Sequence, residues 1–160
     1  MIEDILSLPE QLRWGTELDL DPIRPAGPII LVGMGGSAMA ATVAMLATSP
    51  RVPVVVHRGY GLPEWAPESG ALVIAVSYSG NTEEVLSGVD VAISEGLDLA
   101  AVASGGRLAE IADDRGLSWV RVPGGLQPRA GVGYQTAAVA AILGAAGQIS
   151  RVDRDLTEAA

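Results

Sequence analysis

The chain has 160 residues, a net charge of −9 and 49% hydrophobic residues, as expected for one globular domain. It has no Cys and a single His, so the soft and imidazole ligands of zinc, iron–sulfur and copper sites are missing. All ten basic residues are Arg and they are scattered, which excludes lysine Schiff-base chemistry and opposes binding to nucleic acid or anionic membrane. An anionic ligand therefore needs local hydrogen-bond donors rather than an overall positive field.

The N-terminal segment predicts a helix around Ile2 to Trp14 that is interrupted or restarted at Pro9. It lacks the basic region and long apolar core of a signal peptide. The longest apolar stretches, residues 38–47 and 137–147, are too short to span a bilayer. These features predict a soluble cytoplasmic protein.

Short β-branched runs then alternate with longer Ala-rich stretches, and Gly, Pro and Ser separate them. This pattern is typical of βαβ units and predicts a parallel sheet covered by helices. The predicted strands are Pro28 to Gly33, Val52 to His57, Leu72 to Ser77, Leu99 to Ala103 and Ser118 to Val122. The predicted helices are Ser37 to Thr48, Thr82 to Glu95, Arg107 to Arg115 and Gly133 to Gly147.

The first and third strands are almost continuously apolar, so we expect them in the centre of the sheet. The helices at residues 38–47 and 137–146 are apolar nearly all round, which indicates deep burial or a subunit interface. Two such helices are difficult to shield within one small domain. We therefore expect the protein to self-associate, with a closed homodimer as the simplest form.

The first candidate site is Gly33-Met34-Gly35-Gly36-Ser37-Ala38, between a predicted strand and a predicted helix. Glycines allow close backbone approach, and a helix N-terminus offers unpaired N–H groups to an anion or a sugar hydroxyl. The segment also fits the dinucleotide fingerprint G-x-G-x-x-A. His57 and Arg58 occupy the place where an NAD site has an acidic residue, which leaves NADP binding open as an alternative.

The second candidate is Ser77-Tyr78-Ser79-Gly80-Asn81-Thr82-Glu83-Glu84, at the next strand-to-helix junction. Three hydroxyls there can donate to phosphate oxygens, and the helix dipole adds positive potential. They belong to Ser77, Ser79 and Thr82. The alternative is an ordinary capping box formed by Asn81 and Glu84. We favour phosphate binding, because capping needs one polar residue and this segment has several.

Two further loops follow the fourth and fifth strands. The Ser104-Gly105-Gly106 loop is interpreted as a plain turn, whereas residues 123–129 end in Arg129, which near a cleft would stabilise an oxyanion. With strand order 2-1-3-4-5, the direction in which successive strands are added to the sheet reverses between strands one and three. The glycine-rich turn and the hydroxyl-rich loop would then face each other across one crevice.

General-base candidates are poor. Glu83 and Glu84 lie in a first helical turn, where the helix dipole stabilises the ionised carboxylates and makes them weak bases. We interpret them as capping residues. His57 is a lone imidazole at a strand end, where a structural role is the more common one. No G-x-S-x-G nucleophile elbow occurs in the sequence.

At four places the chain resembles the sugar isomerase (SIS) domain, and in particular the bifunctional phosphoglucose/phosphomannose isomerase family. The matching motifs are Gly-Met-Gly-Gly-Ser-Ala at 33–38, Ser-Tyr-Ser-Gly-Asn-Thr-Glu-Glu at 77–84, Ser-Gly-Gly at 104–106 and Pro-Arg-Ala-x-x-Gly-Tyr at 128–134. The resemblance implies a three-layer α/β/α sandwich with a five-stranded parallel sheet, and a hexose 6-phosphate ligand without a cofactor. It implies phosphate binding by Ser77, Ser79 and Thr82, sugar contacts from Gly35, Gly36 and Ser37, and stabilisation of an enediolate by Arg129.

The family normally carries two such domains, and the resemblance places its catalytic glutamate and ring-opening histidine in the second. This chain resembles the N-terminal half. We expect a sugar-phosphate-binding domain at residues 1–150, and residues 151–160 as the start of a linker or helix towards a second domain. Three functions stay open: half of a glucose-6-phosphate/mannose-6-phosphate isomerase, a sugar-phosphate sensor, and an NADP-binding oxidoreductase.

Overall fold

The five predicted strands form one parallel sheet in a computed structural model that describes residues 6–149. Strands β1 to β5 are Ile29–Gly33, Val54–His57, Leu72–Val76, Asp98–Ala103 and Ser118–Arg121. Their order is β2-β1-β3-β4-β5, which confirms the predicted order and the reversal between β1 and β3. In the register, Leu31 of β1 lies between Val56 and Ile74.

Five helices accompany the sheet within the described residues. Helices α1 to α5 are Leu8–Trp14, Gly35–Thr48, Glu83–Ser94, Gly106–Arg115 and Val132–Ala145, and a 3₁₀ turn, Gly15–Glu17, follows α1. The predicted boundaries between residues 28 and 147 agree with these to within about two residues. Strand β2 begins two residues late because Pro53 has no N–H for strand pairing. The predicted helix start at Ile2 and the polar tail at 151–160 lie outside the described residues.

The central strands divide the core into two apolar clusters. Leu31 and Ile74 face the cluster that includes α2 and α5, whereas Ile30 and Val73 face the cluster that includes α3 and α4. All residues of β1 and β3 are buried, as the apolar runs predicted. Each fully buried Leu, Ile or Val side chain contributes about 1.5–3 kcal/mol relative to exposure. The three-layer α/β/α sandwich is confirmed.

The two apolar helices differ in how they are covered. Helix α5 is buried along most of its length and packs against both α1 and α2. Helix α2 keeps three apolar side chains exposed at helical spacing: Met39 at 57%, Val43 at 44% and Leu46 at 69%. We refer to these three residues as the α2 stripe. We expected both apolar helices to be difficult to shield from solvent, but only α2 leaves large apolar side chains exposed.

Candidate functional site

The carboxyl ends of the strands bring the predicted loops together. The backbone N–H of Tyr78, which follows β3, donates to Ser37 Oγ at 3.3 Å, and Ser37 lies in the first turn of α2 after β1. The glycine-rich turn and the hydroxyl-rich loop therefore meet across the point where the strand order reverses. This is the crevice that the topology predicted.

The hydroxyl-rich loop, residues 77–82, contains an internal hydrogen-bond chain. Ser77 is 1% exposed, and its Oγ accepts from the Gly80 N–H at 3.1 Å and lies 2.8 Å from Thr82 Oγ1. When Ser77 donates to Thr82, the Thr82 proton remains available to a ligand. Ser79 is exposed, and its Oγ accepts from the Asn81 N–H at 3.2 Å. Thr82 and Ser79 thus provide the outward donors, and the buried Ser77 supports them.

Helix α3 begins beside this loop without a side-chain cap. Its N-cap residue is Thr82, whose side chain makes no capping hydrogen bond. The capping-box alternative is wrong, because Asn81 Oδ1 accepts instead from the Arg107 N–H at 3.0 Å, in the first turn of α4. The first-turn N–H groups of α3 are thus left without a capping side chain, as an anion-binding helix terminus requires.

The Ser104-Gly105-Gly106 loop supports the hydroxyl-rich loop and is more than a plain turn. Ser104 donates through both its N–H and its Oγ to the Tyr78 carbonyl, at 2.9 and 2.7 Å. The Leu108 N–H donates to the Gly80 carbonyl at 2.9 Å. The two loops are in such close contact that a methyl group at Gly80 would overlap the Gly105 carbonyl oxygen.

The glycine-rich turn opens into a cleft of about 460 Å³ that is lined by Gly35, Gly36, Met39, Arg129 and Val132. Ser37 lies behind this turn and is buried. Its hydroxyl donates to Gln135 Oε1 at 2.6 Å and accepts from Tyr78, so its only proton is already used. The sugar contact expected of Ser37 remains a prediction, and in this arrangement Ser37 would offer an acceptor only.

Arg129 projects from a loop whose backbone is held by buried amides. The Gln135 Nε2 donates to the carbonyls of Pro128 and Gly131 at 3.4 and 3.3 Å, and Gln11 Nε2 donates to that of Ala130 at 2.9 Å. Both glutamines are 0% exposed. The Arg129 side chain itself is exposed, and no acidic side chain between residues 6 and 149 pairs with it. A fixed loop thus presents a free guanidinium to the cleft.

The loop after β2 reaches the first two turns of α3, beside the hydroxyl-rich loop, and the sequence did not predict this contact. The Tyr60 hydroxyl donates to Glu83 Oε2 at 3.3 Å, and the Gly61 N–H donates to Ser87 Oγ at 3.1 Å. The negative charges of Glu83 and then Glu84 raise the pKa of the exposed Tyr60. Only the loop's actual course shows this contact, since nothing in the local pattern indicates a crossing over β1.

Two basic residues named in the sequence, His57 and Arg58, lie where β2 ends and this loop begins. His57 Nε2 is 3.4 Å from the Tyr60 carbonyl oxygen, and Arg58 Nη2 donates to Thr42 Oγ1 of α2 at 3.2 Å.

Another cleft, of about 470 Å³, lies at the opposite edge of the sheet, where β3, β4 and β5 begin, and contains none of the predicted site residues. Within residues 6–149, no three His, Asp or Glu side chains are close enough to hold a metal ion.

Comparison with known proteins gives curated relatives among the bifunctional phosphoglucose/phosphomannose isomerases and one D-glucosamine-6-phosphate 4-epimerase of Sulfolobus acidocaldarius. A bifunctional phosphoglucose/phosphomannose isomerase of Caldicellulosiruptor bescii is 34% identical over 165 residues, covering 99% of this chain and 48% of that protein. The protein of the same name from Thermoplasma acidophilum is 40% identical over 134 residues, covering 84% and 40%. The chain is a homologue of the bifunctional phosphoglucose/phosphomannose isomerases. It spans about half the length of these curated relatives.

A solved structure supports the fold assignment. A Clostridium difficile 630 protein assigned to the phosphosugar isomerases superposes with a TM-score of 0.60 at 15% identity, covering 89% of this chain and 44% of that one. No family model matches the chain.

The isomerase homologues favour the isomerase interpretation over the sensor and NADP alternatives. None of the helices between residues 6 and 149 has the length and hydrophobicity that a membrane crossing requires.

Proposed function

We propose that the chain is the hexose 6-phosphate-binding N-terminal half of a phosphoglucose/phosphomannose isomerase. The observation that carries this proposal is the uncapped N-terminus of α3 beside outward hydroxyls, next to an open glycine turn and a free guanidinium. These groups provide donors for a phosphate, backbone access for a sugar and a cation for a developing oxyanion. The homologues are named phosphoglucose/phosphomannose isomerases. The reaction proposed for the whole enzyme is therefore interconversion of an aldose phosphate and a ketose phosphate.

Each group has a role in this proposal. The phosphate accepts hydrogen bonds from Ser79, Thr82 and first-turn N–H groups of α3, while Ser77 orients Thr82. The sugar lies in the cleft against Gly35 and Gly36, with Ser37 behind them. The Arg129 guanidinium stabilises the enediolate that forms when a proton moves between C1 and C2. Ring opening and proton transfer would use an acid and a base from a second domain.

The remaining expectations follow from this assignment. Residues 1–150 form the sugar-phosphate-binding domain, and residues 151–160 lead towards a second domain. A cytoplasmic location and a role in carbohydrate metabolism agree with a phosphorylated sugar as the ligand. A net charge of −9 argues against nucleic acid and anionic membrane as partners.

Substitution of the loop hydroxyls tests the phosphate site. We expect Ser79→Ala to weaken fructose 6-phosphate binding by about 10- to 100-fold, because one hydrogen bond to a charged group contributes about 1.5–3 kcal/mol. Calorimetric titration of wild type and of the Ser77→Ala, Ser79→Ala and Thr82→Ala variants measures this. Ser94→Ala is the matched control, since its hydroxyl donates to the Val91 carbonyl at the far end of α3. Equal affinity in all five proteins would show that the phosphate binds elsewhere.

The α2 stripe leads us to propose a second copy of the chain as partner. The stripe begins at Met39, which also lines the cleft, so a dimer formed there would place each site near the interface. We expect Leu46→Glu to convert a dimer into a monomer, because it introduces a charge into an apolar contact. Trp65→Glu is the control, since Trp65 is exposed elsewhere. Sedimentation velocity at micromolar concentration that shows a monomeric wild type would contradict the proposed interface.

A further inference from the structure

Tyr78 is the residue in which the loops around the site converge. Its N–H donates to Ser37 Oγ after β1, and its carbonyl accepts from Ser104 after β4. Its hydroxyl donates to the Pro123 carbonyl and accepts from the Leu126 N–H after β5, both at 3.0 Å. The side chain is 6% exposed. One residue of the hydroxyl-rich loop is thereby hydrogen-bonded to three of the other four loops at this edge, those that follow β1, β4 and β5.

The Tyr78 ring also fixes the start of α5. A methyl group at Gly131 would lie 2.7 Å from Tyr78 Cε2, which means that the ring is packed directly on the Gly131 backbone. Gly131 is the N-cap residue of α5 and follows Arg129 by two positions. The Tyr78 hydroxyl contacts Leu126 and the Tyr78 ring contacts Gly131. Tyr78 therefore holds this loop at one point before Arg129 and at one point after it.

We propose that Tyr78 is a positioning residue that sets the distance between the phosphate-binding hydroxyls and Arg129. This inference rests on the proposed function, because it assigns Arg129 to the sugar end of the ligand and the loop at 77–82 to the phosphate end. The two ends of one substrate must be held at a fixed separation, and small displacements of a reacting group reduce rates strongly. A rigid aromatic side chain with hydrogen bonds at its tip meets this requirement, since it has few rotatable bonds.

Tyr78→Phe is the test variant, because it keeps the packed ring and removes only the hydroxyl. We expect binding of 5-phosphoarabinonate, whose carboxylate mimics an enediolate, to weaken by about five- to tenfold, as loss of one or two hydrogen bonds implies. Binding of inorganic phosphate should change by less than about twofold, because residues 77–82 keep their own contacts. In an Arg129→Ala background, Tyr78→Phe should cause no further loss of aldonate binding. A merely structural residue would weaken both probes alike.

Tyr134→Phe is the matched control, since among the described residues its hydroxyl has no hydrogen-bond partner and its ring contacts Trp14. Amide hydrogen exchange without ligand provides a second readout. Tyr78→Phe should accelerate exchange in the peptide containing Leu126, and leave the peptide containing Thr82 unchanged. Unchanged exchange at Leu126 overturns the inference whatever the ligand does. Absence of any ligand binding by the wild type overturns the proposed function instead, and the exchange result still decides the role of Tyr78.

Discussion

Purified residues 1–160 are expected to bind fructose 6-phosphate but to convert it to glucose 6-phosphate about 10⁴-fold more slowly than with an added second domain. Isomerisation needs a base at C1 and C2 and a proton donor at the ring oxygen, and each contributes about 10²- to 10⁴-fold. A coupled assay of glucose 6-phosphate formation measures the rate of the chain alone. The same assay with the C-terminal half of a homologous isomerase measures the rate with the missing groups supplied.

The described residues offer no group that fits the position of the base. Arg129 carries a guanidinium, a group that stabilises negative charge and is not a proton acceptor. Glu83 and Glu84 immediately follow Thr82. In the proposed site they would therefore lie beside the phosphate on C6, whereas the proton moves between C1 and C2 at the other end of the sugar. Glu83 also accepts a hydrogen bond from Tyr60. Under the proposed function this site binds and polarises a sugar phosphate, and the base that moves the proton comes from a second domain.

The His57→Ala variant is the control for the prediction that residues 1–160 alone turn over slowly. His57 is the one imidazole of the chain, and the loop that follows it reaches Glu83 through Tyr60. His57→Ala should leave both ligand binding and the slow rate of the chain alone unchanged. Efficient turnover by residues 1–160 that is lost in His57→Ala would overturn the half-enzyme proposal and make His57 the base. Failure of an added second domain to restore activity would count against it equally.

The fold could be predicted because its signals are local. Continuous apolar runs marked β1 and β3 as central strands, and the helices predicted after strands one, three and four excluded hairpins at those places. The parallel arrangement then required the loops after these strands to meet at one edge. Even the pairing of the glycine-rich turn with the hydroxyl-rich loop follows from strand order alone.

The polar contacts within the site could not be predicted in the same way. The sequence offers Asn81 as a cap of its own helix, the alternative to phosphate binding, yet its side chain reaches Arg107, 26 residues further along. The Tyr78 hydroxyl and Gln11 likewise bond to loops that are distant in sequence, and Gln135 accepts a hydrogen bond from Ser37, 98 positions earlier. Such contacts depend on where side chains point after the chain has folded, and residue spacing carries no information about that. The exposure of the α2 stripe could not be predicted either, because the sequence of α2 is as apolar as that of the buried α5.

Gly80→Ala is expected to lower the free energy of unfolding by about 2–5 kcal/mol and to abolish fructose 6-phosphate binding. Two costs add at this position: a positive φ of 71°, which costs about 1–2 kcal/mol for a residue with a side chain, and overpacking, which costs about 1–3 kcal/mol. The added methyl group would overlap the backbone carbonyl of Gly105, which a rotamer change cannot relieve. Either residue 80 or the Ser104–Gly106 loop must move. The movement displaces the Ser79 backbone and the Asn81 side chain, which both lie against Gly106.

Gly96→Ala separates these two costs, and the comparison decides whether the packed loops hold the site together. Gly96 has nearly the same φ, 67°, but no atom lies within 4 Å of an added methyl group. We therefore expect it to lose about 1–2 kcal/mol from backbone strain alone and to bind fructose 6-phosphate as wild type does. Urea unfolding gives the two free energies, and calorimetry gives the two affinities. Equal losses of stability, or retained binding in Gly80→Ala, would mean that the loops can separate without cost. The hydroxyls would then be positioned by α3 alone, without the support that the Ser104–Gly106 loop provides in this structure.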